Sequence, residues 1–194
     1  METPEEETEL LEDMLERVGV ADDWDIIMVG DGSGSNHQHE AGWGCTVIER
    51  QGFKRWSTYG CMSRGTVNLA EMLAYLQPLS VLASRERLRR KKNKALPARF
   101  YQVHILTDSN YVKEVGASGK MSPRCNASFW RIFDDFQRQG LIITWHWIPR
   151  ETVELNVFAD RLSKAARILI KHSDVQESVE TDLGWSVDDF NPSY

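Results

Sequence analysis

Four acidic residues stand where a carboxylate could take part in catalysis. Asp31 and Asp108 each end an apolar run that is typical of a buried strand, "DIIMVGD" and "HILTD". Glu71 and Asp160 lie in stretches of helical periodicity, "NLAEMLAYL" and "VFADRLSKAA". A single strand-end aspartate more often forms a turn or caps a helix. Only their convergence at one edge of a sheet would make these four acids a site.

Carboxylates gathered at one sheet edge repel one another unless divalent cations neutralise them. A set of carboxylate oxygens suits Mg²⁺, with Mn²⁺ as a substitute, better than Zn²⁺. Two such ions about 4 Å apart promote in-line displacement at a phosphodiester. The sequence therefore predicts a site for two Mg²⁺ ions, with these ligands: Asp31, Glu71, Asp108 and Asp160.

The elements that must position these acids follow in the order βββαβα(α)βα. This order predicts one α/β domain, at residues 25–171, in which helices pack against a mixed sheet. An arm at 1–24 precedes it, either a short amphipathic helix or a disordered segment. A polar, acidic tail at 172–194 follows, and we expect it to be loosely ordered from about residue 173. Four tryptophans alternate within predicted strands, which favours a core position for each: Trp43, Trp56, Trp145 and Trp147.

The net charge of −6 hides a strong segregation of charge along the chain. Residues 1–25 carry eleven acids and one base, and residues 172–194 carry six acids and no Lys or Arg, so residues 26–171 carry +10. A basic domain of this kind indicates a polyanionic partner. The acidic arms have three interpretations: they solubilise the chain, they compete with nucleic acid for the basic domain, or the N-terminal arm docks a protein partner.

Cysteine usage and hydropathy indicate the compartment. The three cysteines are odd in number and widely spaced, as buried thiols in a reducing compartment are. The N-terminus is acidic where a signal peptide would be basic, and no apolar run is long enough to span a membrane. We therefore expect a soluble, intracellular, cytoplasmic protein with no membrane partner.

Four segments of the core form a recognisable set: "DGSG" with the Gly-rich "AGWGCTV", "TVNLAEMLA", "LTDSNYV" and "WHWIPRETVELNVFADRLSKAA". Together they resemble the type 1 ribonucleases H. The resemblance extends over about residues 25–170, and "LTDSNYV" is its most specific block. The opening "DGSG" lacks the second acid that related proofreading exonucleases carry, since position 33 is Ser, and this disfavours an exonuclease.

This resemblance implies a five-stranded mixed sheet of order 3-2-1-4-5 with helices on both faces. It implies an endoribonuclease that uses Mg²⁺ to cleave the RNA strand of an RNA–DNA hybrid and leaves a 3′-hydroxyl. The family's four metal-binding acids fall on Asp31, Glu71, Asp108 and Asp160. Its substrate-side residues fall on Asn36 and Asn68, which would sense 2′-hydroxyls and base edges in the minor groove, and on Asn126 and Trp130.

A dense basic segment lies in "SRERLRRKKNKALPAR", with few cations left in the later loop where many bacterial members carry a basic protrusion. Neutralisation of substrate phosphates is its predicted use, and a solvated helix end is the alternative. The predicted phosphate contacts are Arg89, Arg90, Lys91 and Lys92 in this segment, and Lys120 and Arg124 in the later loop.

One departure from the family keeps other functions open. Many type 1 enzymes have a mobile His in the loop before the last helix, and here Arg150, Glu151 and Thr152 occupy that place. The loop change keeps open a non-catalytic module that binds hybrid or duplex. A DNA-cutting nuclease of the resolvase or transposase type is a second alternative, and an interaction protein recruited through its acidic N-terminal helix is a third.

Overall fold

The computed structural model describes residues 4–20, 22–35, 40–94, 99–118, 127–150, 154–172 and 177–182. Predicted positions Asn36, Lys120, Arg124 and Asn126 lie outside these ranges. None of the helices in the described ranges is long and apolar enough to cross a membrane. The elements in chain order are α1 Pro4–Arg17, β1 Ile26–Gly34, β2 Ala41–Glu49, β3 Lys54–Met62, α2 Val67–Lys92, β4 Tyr101–Thr107, α3 Asn110–Ser118, α4 Ala127–Arg138, β5 Leu141–Trp147, α5 Glu154–His172 and β6 Glu177–Asp182.

The strands form one mixed sheet in the order β5-β4-β1-β2-β3-β6. Strand β1 pairs antiparallel with β2, and β2 pairs antiparallel with β3. The turn between β2 and β3 contains Gly52, which has φ +80. Strands β4 and β5 run parallel to β1. The first five strands therefore have the order 3-2-1-4-5, which confirms the predicted fold.

The sixth strand is a correction to the sequence analysis, which expected a loosely ordered tail from about residue 173. Strand β6 pairs antiparallel with β3, from Met62 opposite Glu177 to Ser57 opposite Asp182. In a five-strand sheet β3 would be an edge with unpaired backbone groups, and β6 satisfies them. The pairing joins segments far apart in sequence, so no local pattern in the acidic tail indicates it.

Helices α2, α3 and α4 cover one face of the sheet and enclose the larger core cluster. Trp43 and Trp56 are buried there, as predicted, and Trp145 is partly buried against Trp130, at a ring distance of 5.7 Å. Trp147 follows on the same face as Trp145, at the end of the edge strand β5, and is 46% exposed. The expectation that Trp147 belongs to the core is therefore wrong, because the helices do not cover this end of the strand.

The other face is covered by α5, which packs on β1, β2 and β3, and by α1. Leu11, Met14 and Leu15 of α1 are buried against a second apolar cluster, to which Ile27 and Leu106 contribute. The N-terminal arm is thus an amphipathic helix that completes a layer of the fold. These three side chains contact the sheet, and recruitment of a protein partner through the acidic residues of the arm stays a prediction.

Candidate active site

The cleft opens where β1 and β4 separate. Their pairing ends at Val29 opposite Leu106, while β1 continues to pair with β2. The hydroxyl of Tyr75, on α2, lies between the two strands where they separate. Its oxygen accepts a hydrogen bond from the Gly30 N–H at 3.2 Å, and its single proton can be donated to the carbonyl of Gly30 at 2.7 Å or of Leu106 at 2.9 Å. Asp31 and Asp108 each follow directly after this point.

A phenylalanine at position 75 tests the strand separation. Tyr75 is fully buried, so Tyr75→Phe would leave backbone groups of both strands without a hydrogen-bond partner. We expect the free energy of unfolding to fall by about 1–3 kcal/mol. Urea unfolding followed by circular dichroism measures this fall. Tyr101→Phe, on a partly buried ring of β4, is the matched control, and an equal loss in the two variants would contradict a special role for Tyr75.

Helix α2 begins at Val67, so Asn68 lies in its first turn and does not cap it. The N-cap is Thr66, whose side-chain oxygen accepts a hydrogen bond from the Leu69 N–H at 3.2 Å. Asn68 is an exposed residue of the first turn, next to Val67, which lines the cleft. It therefore has the free side chain that the predicted substrate contact requires.

Gly32 lets α2 approach β1 closely enough to bring Glu71 to the cleft. A Cβ atom at Gly32 would lie 2.3 Å from the backbone nitrogen of Glu71 and 2.7 Å from the carbonyl carbon of Ala70. Real Cβ atoms are not found this close to backbone atoms, so any side chain here would push the helix away. The absence of a side chain at Gly32 thus fixes Glu71 beside Asp31.

The structure brings three of the four predicted acids into one cluster. Asp31, Glu71 and Asp108 each offer a carboxylate oxygen, and these oxygens all lie within 4.8 Å of one another. Asp31 is 1% exposed and Glu71 5%. Asp31 Oδ1 and Glu71 Oε2 are buried and have no hydrogen-bond partner. Buried carboxylate oxygens without donors, in an all-oxygen set, fit a hard divalent cation such as Mg²⁺.

Burial and mutual repulsion disfavour the charged forms of these acids. The pKa of Asp31 is raised to about 7, chiefly by burial and then by the charges of Asp108 and Asp160. The pKa of Glu71 is raised well above its ordinary value, again by burial first and then by Asp31 and Asp108. A cluster that resists ionisation without a cation is what a metal site requires.

Asp160 lies at the rim of the same cleft rather than within the group of three. It is on α5, where its Oδ2 pairs with Lys164 Nζ at 2.6 Å, and its side chain is 29% exposed. The negative charge of Asp160 also raises the pKa of Asp31. The fourth acid is thus adjacent to the cluster, and it has a cation as its neighbour.

Three cleft residues with a charged or amide side chain were not among the predicted site residues: Arg150, Asn156 and Lys164. Arg150 Nε lies 3.2 Å from Asp108 Oδ2, and Asn156 donates a longer bond, 3.4 Å, from Nδ2 to the same oxygen. Asn156 is 2% exposed and its Oδ1 has no hydrogen-bond partner. It precedes Asp160 by four residues, so a polar residue on the helix face of a predicted metal ligand was the available signal. All three residues line a cleft of about 250 Å³.

The predicted substrate residues Trp130, Arg89, Arg90, Lys91 and Lys92 do not gather in the cleft as the acids do. Trp130 is 3% exposed, and its indole N–H donates to the Tyr111 hydroxyl at 3.3 Å. It therefore supports the cleft from within the core, and direct substrate contact by Trp130 is ruled out by burial. The four predicted cations of α2, Arg89, Arg90, Lys91 and Lys92, lie in its last turn, at the opposite end of the helix from Glu71.

Two sequence comparisons bear on the family. The RNase H family model matches residues 23–168, about three quarters of the chain. Comparison with curated protein sequences gives no match.

Solved structures of RNase H domains share the fold. The N-terminal RNase H domain of rv2228c from Mycobacterium tuberculosis has a TM-score of 0.56 at 20% identity, over 77% of this chain and 98% of that one. LC11-RNase H1 in complex with an RNA/DNA hybrid has a TM-score of 0.55 at 20% identity, over 75% and 99%. RNase H1 from the halophilic archaeon Halobacterium salinarum NRC-1 has a TM-score of 0.54 at 18% identity, over 76% and 98%. The match to the family model, on a chain with this fold and this acidic cleft, shows that the protein belongs to the RNase H family.

Proposed function

We propose that this protein is an endonuclease that hydrolyses the RNA strand of RNA–DNA hybrids in the cleft between β1 and β4. The observation that carries the proposal is the cluster of Asp31, Glu71 and Asp108, with buried oxygens that have no donor. Family membership supports a nuclease, and the structure of LC11-RNase H1 with an RNA/DNA hybrid supports the choice of substrate.

The cofactor we propose is a pair of Mg²⁺ ions, with Mn²⁺ as a substitute. Asp31, Glu71 and Asp108 would hold them, with Asp160 at the rim. When bound, such ions stabilise charge on the phosphate and lower the pKa of a bound water. The chain would orient these ligands: Asn156 donates its N–H to Asp108, and Gly32 fixes Glu71 against β1.

Two cations in the cleft are suited to the phosphate group of the substrate. Arg150 pairs with Asp108, and Lys164 pairs with Asp160. Both carboxylates are proposed metal ligands. Arg150 keeps 69% of its side chain exposed, so it can leave Asp108 and donate to a phosphate oxygen. It would then contribute transition-state charge stabilisation from the loop position where many relatives have a His.

Recognition of the hybrid would depend on Asn68 and Asn36. Asn68 is exposed in the first turn of α2, and we propose that it contacts 2′-hydroxyls across a minor groove together with Asn36, which lies outside the described residues. Asn126 as a substrate contact, and Lys120 and Arg124 as phosphate contacts, also remain part of the proposal. Asn36 and Asn68 would select a hybrid over a DNA duplex.

The test uses a hybrid of about 20 base pairs labelled on either strand, with RNA–RNA and DNA–DNA duplexes as controls. The wild-type protein should cut only the RNA strand of the hybrid, in Mg²⁺ or Mn²⁺, and Asp108→Asn should remove this activity. Asp134→Asn, the same change at an exposed position of α4, is the matched control and should keep the activity. Cleavage that survives in Asp108→Asn would refute the assignment of the site.

A non-catalytic binding module is the second candidate. The ion pairs of Arg150 with Asp108 and of Lys164 with Asp160 favour it, because cations already neutralise two of the four acids. Salt-sensitive hybrid binding without cleavage in either metal would support this candidate. Cleavage of the DNA–DNA duplex would instead point to a DNA-cutting nuclease.

A further inference from the structure

A second concentration of positive charge lies at the end of the sheet away from the acids. We name it the distal basic surface: residues 49–54 at the tip of the β2–β3 hairpin, residues 85–94 at the end of α2, and residues 99–100. These ranges contain two acids, Glu49 and Glu86, and Asp25 pairs with Arg99 from outside them at 3.5 Å. Its ten cations are Arg50, Lys54, Arg85, Arg87, Arg89, Arg90, Lys91, Lys92, Lys94 and Arg99.

Side-chain contacts join these three segments into one surface. Arg85 of α2 pairs with Glu49 of β2 at 2.6 Å, and Arg99 Nη1 donates to Gln51 Oε1 in the hairpin at 2.7 Å. A helix end alone would place cations only in the last turn of α2, where they favour the helix dipole. The dipole does not explain the cations of the hairpin or Arg99, so the charge is a property of the surface.

Glu86 holds two arginines of this surface in place, and the surface keeps an excess of exposed positive charge. Its side chain is 6% exposed and accepts from Arg89 Nε at 2.7 Å and from Arg90 Nε at 2.8 Å. Hydrogen bonds from these two arginines hold the pKa of Glu86 at about 2, so the carboxylate stays charged and the guanidiniums stay in place. Lys91 and Lys92 follow directly, exposed, and no ion pair joins either to another described residue.

Apolar exposure on the same surface points to nucleic acid rather than to a purely ionic contact. Phe53 is 44% exposed and Phe100 is 64% exposed. Aromatic rings among cations suit a polynucleotide, because the cations neutralise phosphates of the duplex and the rings can stack on bases of a single-stranded extension.

The distance from the cleft defines what the surface can reach. Twenty residues of helix separate Glu71 from Lys91, a span of about 30 Å at 1.5 Å per residue. Six residues of strand separate Gly44, which lies opposite Asp31, from Arg50, a span of about 20 Å. A polynucleotide that runs straight from the cleft to this surface would cover the span in about six to nine nucleotides, at roughly 3.4 Å per nucleotide.

We infer that the distal basic surface is a second nucleic-acid contact. It binds phosphates of the substrate that lie about six to nine nucleotides away from the nucleotide held in the cleft. The inference rests on the proposed function for the identity of the substrate. It does not depend on hydrolysis, because binding to the surface can be measured in a protein that does not cut.

The test compares Lys91→Ala/Lys92→Ala with Arg17→Ala/Arg131→Ala, which removes two exposed helical cations elsewhere on the protein. Both are made in the Asp108→Asn chain, and binding is measured by fluorescence anisotropy in Mg²⁺ over a range of salt. The probes are hybrids of about 8 and 24 base pairs, and the shorter one, centred on the cleft, reaches only about 14 Å to each side. An 8-base-pair hybrid with a single-stranded extension shows whether duplex or single strand supplies the phosphates.

Loss of the two lysines should weaken binding of the long hybrid about tenfold and lower the slope of log affinity against log salt by about two. Binding of the short hybrid should not change, and the control variant should bind both as before. Three results would each overturn the inference: unchanged binding of every long probe, an equal loss for short and long probes, or an equal loss in the control variant. A lack of cleavage in the hydrolysis assay would refute the proposed function alone.

Discussion

Removal of residues 1–20 is expected to lower the free energy of unfolding by about 5 kcal/mol. Helix α1 buries Leu11, Met14 and Leu15, each 5–6% exposed, against the face of the sheet that α5 leaves uncovered. Burial of one such side chain contributes about 1.5–3 kcal/mol, offset in part by the cost of ordering the helix. Domains are stable by only about 5–15 kcal/mol, so the shortened chain would lose between about a third and all of its stability.

Urea unfolding followed by far-ultraviolet circular dichroism measures this loss. The control keeps the apolar residues and removes charge, as Glu12→Gln/Asp13→Asn/Glu16→Gln, three exposed positions of the same helix. It should change stability by less than about 0.5 kcal/mol. Comparison of the truncated chain with this variant separates the contribution of packing from that of charge. If the arm only made the chain soluble, the truncation would change stability as little as the control does. A truncated chain as stable as the control would therefore contradict a structural role for α1.

Asp31→Asn is expected to stabilise the metal-free protein at pH 8 by about 2–4 kcal/mol. The pKa of Asp31 is about 7 in the folded chain, against an ordinary 3.8, so the folded state binds the proton more tightly than the unfolded state. Folding stability therefore falls as the pH rises from about 4 and reaches its lower level above about 7. The amide carries no charge and removes this penalty, so the two proteins should be equally stable near pH 4.

Thermal unfolding in a chelating buffer, repeated at intervals from pH 4 to pH 8, gives the difference between the two proteins. Asp134→Asn should follow the wild type throughout, since its carboxylate is exposed. Mg²⁺ or Mn²⁺ should then raise the melting temperature of the wild type at pH 8 and have much less effect on Asp31→Asn, because a ligand stabilises the state that binds it. A wild type as stable as the variant at pH 8 without metal would show that burying the Asp31 carboxylate carries no cost.

The parts of this site that the sequence predicts are those encoded locally. An apolar run that ends in an acid places Asp31 and Asp108 at strand ends without further information, and helical spacing places Glu71. Proximity of the three depends on the strand order, which followed from a resemblance to a family and not from any periodicity. The ion pair between Arg150 and Asp108 joins residues 42 positions apart, and only the fold brings them together.

Elements that depend on distant contacts were harder to predict. The amphipathic pattern of α1 was visible, but its pattern does not say whether the apolar face meets the sheet or another protein. Trp147 shares the alternation of Trp145 yet is exposed, because alternation defines a face of a strand and not how far the helices extend over it. Whether a side chain at the end of an edge strand is exposed depends on how far the helices packed on that face extend.

Strand β6 also determines where the chain can be shortened without harm. The match to the family model ends at residue 168, so a fragment cut at that boundary would lose the strand that pairs with Ser57–Met62. The bare edge of β3 would then be a template for the same edge of another copy, and self-association would follow. With β6 in place, the backbone groups of this edge of β3 are paired. Strand β6 thus protects the molecule from self-association through β3.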